Sequence, residues 1–546
     1  MLRSAAGRHQ ASFLSRARPF LPCPCLQSKR TQHVTTTTTS QPDSHLFRYT
    51  SGRWIWNEEK QLRYRYSPFN VSELQNVAAH SVGADACTGI TKLAEGNFNK
   101  IFRLTMDNGK NVIARIPHPI AGPHRFMTAS EARSVLGIPT PQIFAWSADP
   151  SNPVQSEYII MAEAPGVQLD SVWSDLSLEQ RVAIMKDLVS LEKKMSSASF
   201  SRYGSLYYTS ENIPGAKSVE VQGNVSVDLR NAATRQFCLG PIAEREWWRG
   251  ERATMDIDRG PWDHPQDCAI SVAHREIKWI EQFAVPKPDN DPLVPSKTQN
   301  SPGNQISLLQ RYLQVAPYLL PSDSDVVASH IWHTDLHAGN IFIDINTCQI
   351  SSVIDWQGIW AAPLILQARH PRLVQYDGEL ILKPPTSFKD LEAGEKSRIR
   401  DNMSRSIILY LYEQTIAKEV PILHKVLHFS NGRTRCEPII FAGDTWEDDI
   451  IPLRESLIRI EKYWDEFGFD FPCPFHFTED ELRKHAEDSE GWNEVQDFWA
   501  SISSIVARDG WTPNEAYQDA AGKEREDFQE QTKWVENTSA QPRRST

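Results

Sequence analysis

The sequence predicts an α+β chain in two lobes, a small antiparallel-sheet N-lobe followed by a large helical C-lobe. Three observations carry this. Between Ile90 and Ile116, apolar runs are broken by Gly96 and by Asn108-Gly109, which spaces out three strands and joins the last two by a hairpin turn. Beyond Leu178 the apolar positions recur at helical rather than strand spacing. Into that helical half is set one polar stretch, His333 to Asp344, followed by an apolar run that ends at Asp355-Trp356. At 546 residues, with 40% hydrophobic and 23% charged, the chain is globular in composition and too long for one small core.

Charge and apolar runs narrow the function class. A net charge of −11 disfavours a nucleic-acid partner. No apolar run approaches the ~18 residues of a membrane span, so no integral membrane segment is expected. The eight cysteines are scattered, with neither a zinc-site spacing nor a disulfide framework, which fits a reducing interior.

Taken in order, residues 1–42 carry six basic residues and no acid before Asp43. Arg and Ser are interleaved there with Leu2, Phe13 and Leu14, the pattern of a mitochondrial transit peptide. A plain disordered basic tail would have the same composition. Residues 46–163 then form the N-lobe with an N-terminal extension, 164–520 the helical C-lobe, and 521–546 a charged tail expected to be disordered. The aromatics between Tyr49 and Trp56 read as an extension packed on the body. Asn70 is a helix cap for Val71, Leu74, Val77 and Ala78.

In the sheet, the turn at Gly96, with Asn97 and Asn99 beside it, is suited to covering phosphates with backbone N–H groups. Arg115 on the third strand is either the matching cation, with Glu131 as its candidate partner, or a strand arginine in an ordinary surface ion pair. Only Thr128 to Leu136 is available to the helix carrying Glu131, about 13 Å at 1.5 Å per residue. Ile143–Trp146 and Tyr158–Glu163 complete the sheet, with backbone groups of Met161 to Glu163 where an adenine would dock. Ala164-Pro165-Gly166 is the hinge. Helices are expected at Leu178–Lys194, Val272–Phe283, Ile306–Leu313, around Ile407–Tyr412 and at Ile451–Trp464. Val285 to Gly303 reads as a Pro-rich excursion, and Asp258 to Trp262 as packing.

The polar stretch carries the chemistry. His333-x-Asp335-x-x-x-x-Asn340 arises by chance only about 0.04 times in a chain of this length. Moving a phosphoryl group to a hydroxyl needs a carboxylate to orient the hydroxyl and take its proton, the role open to Asp335. The phosphates need a divalent metal with oxygen ligands, here Asn340 and Asp355. Ile341–Ile343 and Ile350–Ile354 read as a hairpin that folds Asp355 back beside Asn340. His333 and His337 are read as packing.

These residues resemble a known family. Glu95-Gly-Asn-Phe-Asn-Lys, His333-Thr-Asp-Leu-His-Ala-Gly-Asn-Ile and Val353-Ile-Asp-Trp356 are similar to the aminoglycoside phosphotransferase and choline kinase branch of the protein-kinase-like fold. The text from Phe47 to Asn57, Asp258 to Trp262 and Asp355-Trp-Gln resembles a narrower fungal group, altered inheritance of mitochondria protein nine, over most of residues 46–515. The resemblance implies ATP and Mg²⁺ as cofactors, Asp335 as base, Asn340 and Asp355 as metal ligands, Gly96 and Arg115 at phosphates, and a mitochondrial location. The departures are the thin glycine turn, Arg at 115 where most relatives carry Lys, and the short stretch after Glu131. No Ala-Pro-Glu segment is visible, which favours a small-molecule over a protein substrate. A catalytically weak nucleotide-binding module acting in mitochondrial maintenance is the alternative.

Residues 1–42 fused to a fluorescent reporter are expected to direct it to mitochondria, as read by co-localisation microscopy. A reporter left in the cytosol would remove the transit-peptide reading.

Overall fold

The computed structural model of the chain describes residues 44–122, 137–288, 298–447 and 450–522. The 1–42 segment, Glu131 with its Thr128–Leu136 helix, and the tail after Gly522 lie outside the described residues.

Alternation builds the first sheet. Strands β1 (Cys87–Glu95), β2 (Asn99–Met106), β3 (Asn111–Pro117), β4 (Ile143–Ser147) and β5 (Tyr158–Ala162) pair antiparallel in the order β1-β2-β3-β5-β4. The β2–β3 turn closes where expected: Gly109 takes a φ of 79° and its amide donates to the Met106 carbonyl at 3.0 Å. Successive side chains point to opposite faces. Phe102, Leu104, Val112, Ala114 and Ile116 therefore form one apolar face, packed with Leu74 and Ala78 of helix α1 (Val71–Ser81). That helix starts at Asn70, whose side chain accepts from the Glu73 amide at 3.2 Å. Ile101, Arg103, Ile113 and Arg115 point the other way and line a cleft.

A second, larger core holds the helical part. Its long helices include α2 (Leu178–Ser196), α3 (Pro265–Phe283), α4 (Pro302–Leu319) and α5 (Ala393–Glu419), followed by α6 (Pro421–Leu427) and α7 (Ile450–Lys462). Three are longer than their apolar spacing suggests. Helix α3 begins at Pro265 rather than Val272, because a proline at the first helical positions has its φ already set and lacks only an N–H that would go unpaired there. Helix α4 runs from Pro302 to Leu319 rather than Ile306 to Leu313, its start capped by Ser301 and its last turn tolerating Pro317. In α5 the buried residues start only at Ser406, so the polar first half from Ala393 gave no periodic signal.

Between the two cores the chain passes Ala164-Pro165-Gly166. Here Gly166 has a φ of 91°, and a Cβ on it would lie 2.3 Å from the Ile343 carbonyl oxygen. The strand β6 (Val167–Gln168) then pairs with β7 (Ile341–Asp344), which pairs in turn with β8 (Gln349–Val353). Ser351 Oγ donates to the Pro165 carbonyl at 2.5 Å. The connection expected to be a hinge is thus seated on the hairpin that follows the polar stretch.

The C-terminal end returns to the N-terminal extension. Arg53–Trp54 pairs antiparallel with Trp511–Thr512, and the buried Trp54 ring donates to Asp509 Oδ2 at 3.1 Å. Among the described residues no helix is long and apolar enough to cross a membrane.

Gly166→Ala is expected to lower unfolding free energy by about 2–4 kcal/mol in urea melts, from left-handed strain plus the clash with the Ile343 carbonyl. A loss under about 0.5 kcal/mol would mean that the hinge is not pinned this way.

Candidate functional site

The polar stretch sits at the mouth of the β7–β8 hairpin. Asp344 Oδ1 accepts from the amides of Asn346 and Thr347 at 2.8 and 3.3 Å, which closes the turn. At the other end the Ile354 amide donates to the Asn340 carbonyl at 2.9 Å. That bond brings Asp355 beside Asn340, and Asp355 itself adopts a φ of 63°, a left-handed conformation that Asp tolerates better than most residues. Asn340 Nδ2 donates to the Asp335 carbonyl at 3.1 Å, so its Oδ1 is left as the atom for another partner. Asp335 Oδ2 lies 3.6 Å from His337 Nε2, while His337 Nδ1 accepts from the Gly339 amide at 3.0 Å. His333 is buried against the Trp356 ring with its Nε2 3.0 Å from the Ile354 carbonyl. Burial pushes its imidazole below the ordinary value, so it packs the loop as a neutral ring.

Asp335, Asn340, Asp355, Gly96, Asn97, Arg115, Met161 and Glu163 all line one continuous cleft of about 2810 Å³. That exceeds the ~300–1,000 Å³ of a single small-ligand pocket, leaving room for two bound molecules. Glu131 lies outside the described residues. Arg115 is buried in β3, opposite Ile101 of β2 and Ile159 of β5. At the glycine turn, the Gly96 amide already donates to the Asn99 carbonyl at 3.0 Å. At the sheet's exit the Ala162 amide is taken by the Gln142 carbonyl at 2.7 Å, and Glu163 forms an ion pair with Arg103, whose Nε lies 3.2 Å from Oε2.

Three supports escaped the sequence reading. Gln168 Nε2 donates to the Gly339 carbonyl at 2.6 Å, tying the strand after the hinge to the polar loop. Asn99 Nδ2 donates to Gln357 Oε1 at 2.6 Å, tying the glycine turn to the chain just past Asp355. The third lies behind the glycine turn. Glu95 is buried and accepts from the Thr50 amide at 2.7 Å; Lys92 and Lys100 lie 3.0 and 3.2 Å from its carboxylate. Lys100 also donates to the Arg65 carbonyl at 2.7 Å. A signal for it existed: Lys100 shares the alternation of Phe102 and Leu104, which places it on the inward face. Burial pulls its ammonium down to about 8.

Asn340 and Asp355 line the same cleft and offer a carboxamide oxygen and a carboxylate, hard oxygen donors of the kind magnesium prefers. The donor set fits the ion.

A family model described as the phosphotransferase enzyme family (APH) matches residues 89–364. A subtelomeric hrmA-associated cluster protein of Aspergillus fumigatus is 32% identical over 77% of this chain and 87% of its own length. A Yarrowia lipolytica protein named altered inheritance of mitochondria protein 9, mitochondrial, is 23% identical over 87% of this chain and 86% of its own. Among solved structures, a putative aminoglycoside phosphotransferase from Ralstonia eutropha aligns at 14% identity with a TM-score of 0.35, covering 73% of this chain and 99% of that one.

The buried Lys100 yields a pH signature. Its folded value of about 8 lies below the 10.5 of a free lysine, so between them the unfolded chain holds a proton that the folded chain has released. The contribution of Lys100 to stability is therefore full above pH 10.5 and is lost as pH falls through about 8. Urea melts across this window are expected to show wild type gaining on the order of 2 kcal/mol relative to Lys100→Met, with solvent screening allowed for. Lys92, which burial also lowers, is present in both proteins and shares the Glu95 carboxylate with Lys100. Parallel stability curves would refute the assignment.

Proposed function

The chain belongs to the phosphotransferase enzyme family, and we propose that it is an ATP- and Mg²⁺-dependent phosphotransferase acting on a hydroxyl of a small molecule in the mitochondrion. The observation that carries this reading is the convergence of Asp335, Asn340 and Asp355 on the same cleft as Arg115 and the Gly96 turn. Asp335 orients the substrate hydroxyl and takes its proton as the new O–P bond forms and the bond from the γ-phosphorus to the ADP oxygen breaks, with ADP as the leaving group. Asn340 Oδ1 and the Asp355 carboxylate would hold magnesium, which when bound neutralises the phosphate charge. Arg115 can meet phosphate oxygens through two parallel hydrogen bonds, where a lysine would offer a point charge. Met161 and Glu163 mark the sheet edge proposed for the adenine. The mitochondrial address is supported by the acid-free basic residues 1–42 and by the printed names of the altered-inheritance relatives.

A second reading is favoured by two details. The planar head of Arg115 is bulkier than the ammonium a lysine would place there, and the Gly96 amide is already engaged by the Asn99 carbonyl. Both would weaken the grip on phosphates and suit a nucleotide-binding module with little turnover.

Asp335→Asn keeps the shape and removes the base, so turnover is expected to fall by ~10²–10⁴ with nucleotide affinity nearly unchanged. Asp355→Ala is expected to abolish the magnesium-dependent thermal shift with ATP, worth about 2.7 kcal/mol in wild type at 100 times the dissociation constant. Equal shifts in wild type and Asp355→Ala would sink the metal assignment. Nucleotide binding without phosphoryl transfer to any of a broad panel of small hydroxyl compounds would select the second reading.

A further inference from the structure

A second cluster lines the same cleft on the helical side, built from Glu413 of α5, His424 of α6, His428 at the end of α6, and His370. His424 and His428 are one helical turn apart, joined by a backbone bond from the His428 amide to the His424 carbonyl at 3.1 Å. That spacing stacks both imidazoles on one side of the helix, 4.5 Å apart between ring centroids. Glu413 faces them from the neighbouring helix. Its Oε2 lies 2.8 Å from His428 Nε2, and its Oε1 lies 2.5 Å from His370 Nε2. The carboxyl is held well below its ordinary range, down to about 2: burial alone would raise it, and the two imidazoles overcome that. Next to it, Tyr412 ties α5 to α2 by donating to the buried Glu192 at 3.0 Å.

We propose that Glu413, His424 and His428 form a binding site for a zinc-class divalent cation, separate from the Asn340–Asp355 pair. One ligand atom from each of the three lies within 4.8 Å of the others. Tetrahedral ligands at ~2.0–2.1 Å from zinc stand about 3.3 Å apart, so small side-chain rotations close the set. The donor chemistry separates the two sites. Two imidazole nitrogens and one carboxylate suit zinc, whereas Asn340 and Asp355 offer oxygen alone and suit magnesium. On binding, the cation takes the place of the hydrogen shared by Glu413 Oε2 and His428 Nε2. His370 keeps its bond to Oε1 and holds the carboxylate in orientation, a positioning role common around zinc ligands. Three protein ligands leave a fourth position, filled by water or by an oxygen of a molecule in the cleft.

The experiment is zinc titration of the full chain, first stripped with chelator, with bound metal counted by mass spectrometry and affinity measured by calorimetry. The expected result is about one zinc per chain, and with Co²⁺ in its place the visible bands of a tetrahedral ion. His424→Ala and Glu413→Gln should each weaken binding by ~100-fold or more, and His370→Ala by ~10–100-fold. His428 is half exposed, so His428→Gln tests the site without threatening the fold, and should lose binding as His424→Ala does. Asp355→Ala should bind zinc like wild type, which keeps this test independent of the phosphotransfer reading. Sub-stoichiometric zinc in wild type, or equal affinity in wild type and His428→Gln, would overturn the proposal and leave an acid–imidazole hydrogen-bond network.

Discussion

The candidate site depends on one backbone hydrogen bond, from the Ile354 amide to the Asn340 carbonyl at 2.9 Å. It lies just beyond the β7–β8 ladder and decides that the residue after Ile354 stands beside Asn340 rather than continuing away. The left-handed φ of Asp355 belongs to the same closure. Such a conformation costs of order 1–3 kcal/mol in general and persists where the surroundings over-determine it. Here they do: the Val353 amide is held by the Pro139 carbonyl at 2.7 Å, Trp356 Nε1 donates to the Val353 carbonyl at 3.2 Å, and His333 braces Ile354.

The sheet's exit and the glycine turn are both fastened to loops at that hairpin. Gly166 lies against the Ile343 carbonyl, and Gln168 holds Gly339, so the sheet's exit is fastened to the polar loop. From the opposite side, Asn99 reaches Gln357 across the cleft. The glycine turn is in turn stiffened from behind by Glu95, which gathers Thr50, Lys92 and Lys100 around one buried carboxylate. A buried charge cluster of this kind stabilises little on net, because desolvation offsets much of its attraction. Its effect is directional. The N-terminal extension is bound to the base of the turn, and through Trp54 to Asp509 in the segment after the last long helix among the described residues.

The helical side supplies a different chemistry. Asn340 and Asp355 offer oxygens, while the α5–α6 corner presents two imidazoles around Glu413. The cleft volume of about 2810 Å³ accommodates both regions without forcing them to share a ligand.

By itself the sequence made legible the five strands of the first sheet, the β7–β8 hairpin, their turns and a set of candidate chemical residues. Those are local properties: period-two alternation, the φ freedom of Gly109, the cap at Asn70, and a motif whose members lie within a few residues of one another. Short strands of the helical half such as Ser205–Tyr208, Phe237–Gly240 and Ser329–Ile331 were not legible in it. Helix starts at Pro265, Pro302 and Ala393 were less legible, because capping and polar turns carry little apolar period. The tertiary structure decided which distant groups meet. Thr50 with Glu95, Asn99 with Gln357, Trp54 with Asp509 and His370 with Glu413 are 43 to 455 residues apart, and no periodicity encodes such pairings. The inward alternation of Lys100 was visible, but its partner became so only when β1, β2 and the N-terminal extension packed together. The chain's local preferences fix which groups are available, and packing two cores against one hairpin fixes which of them share a site.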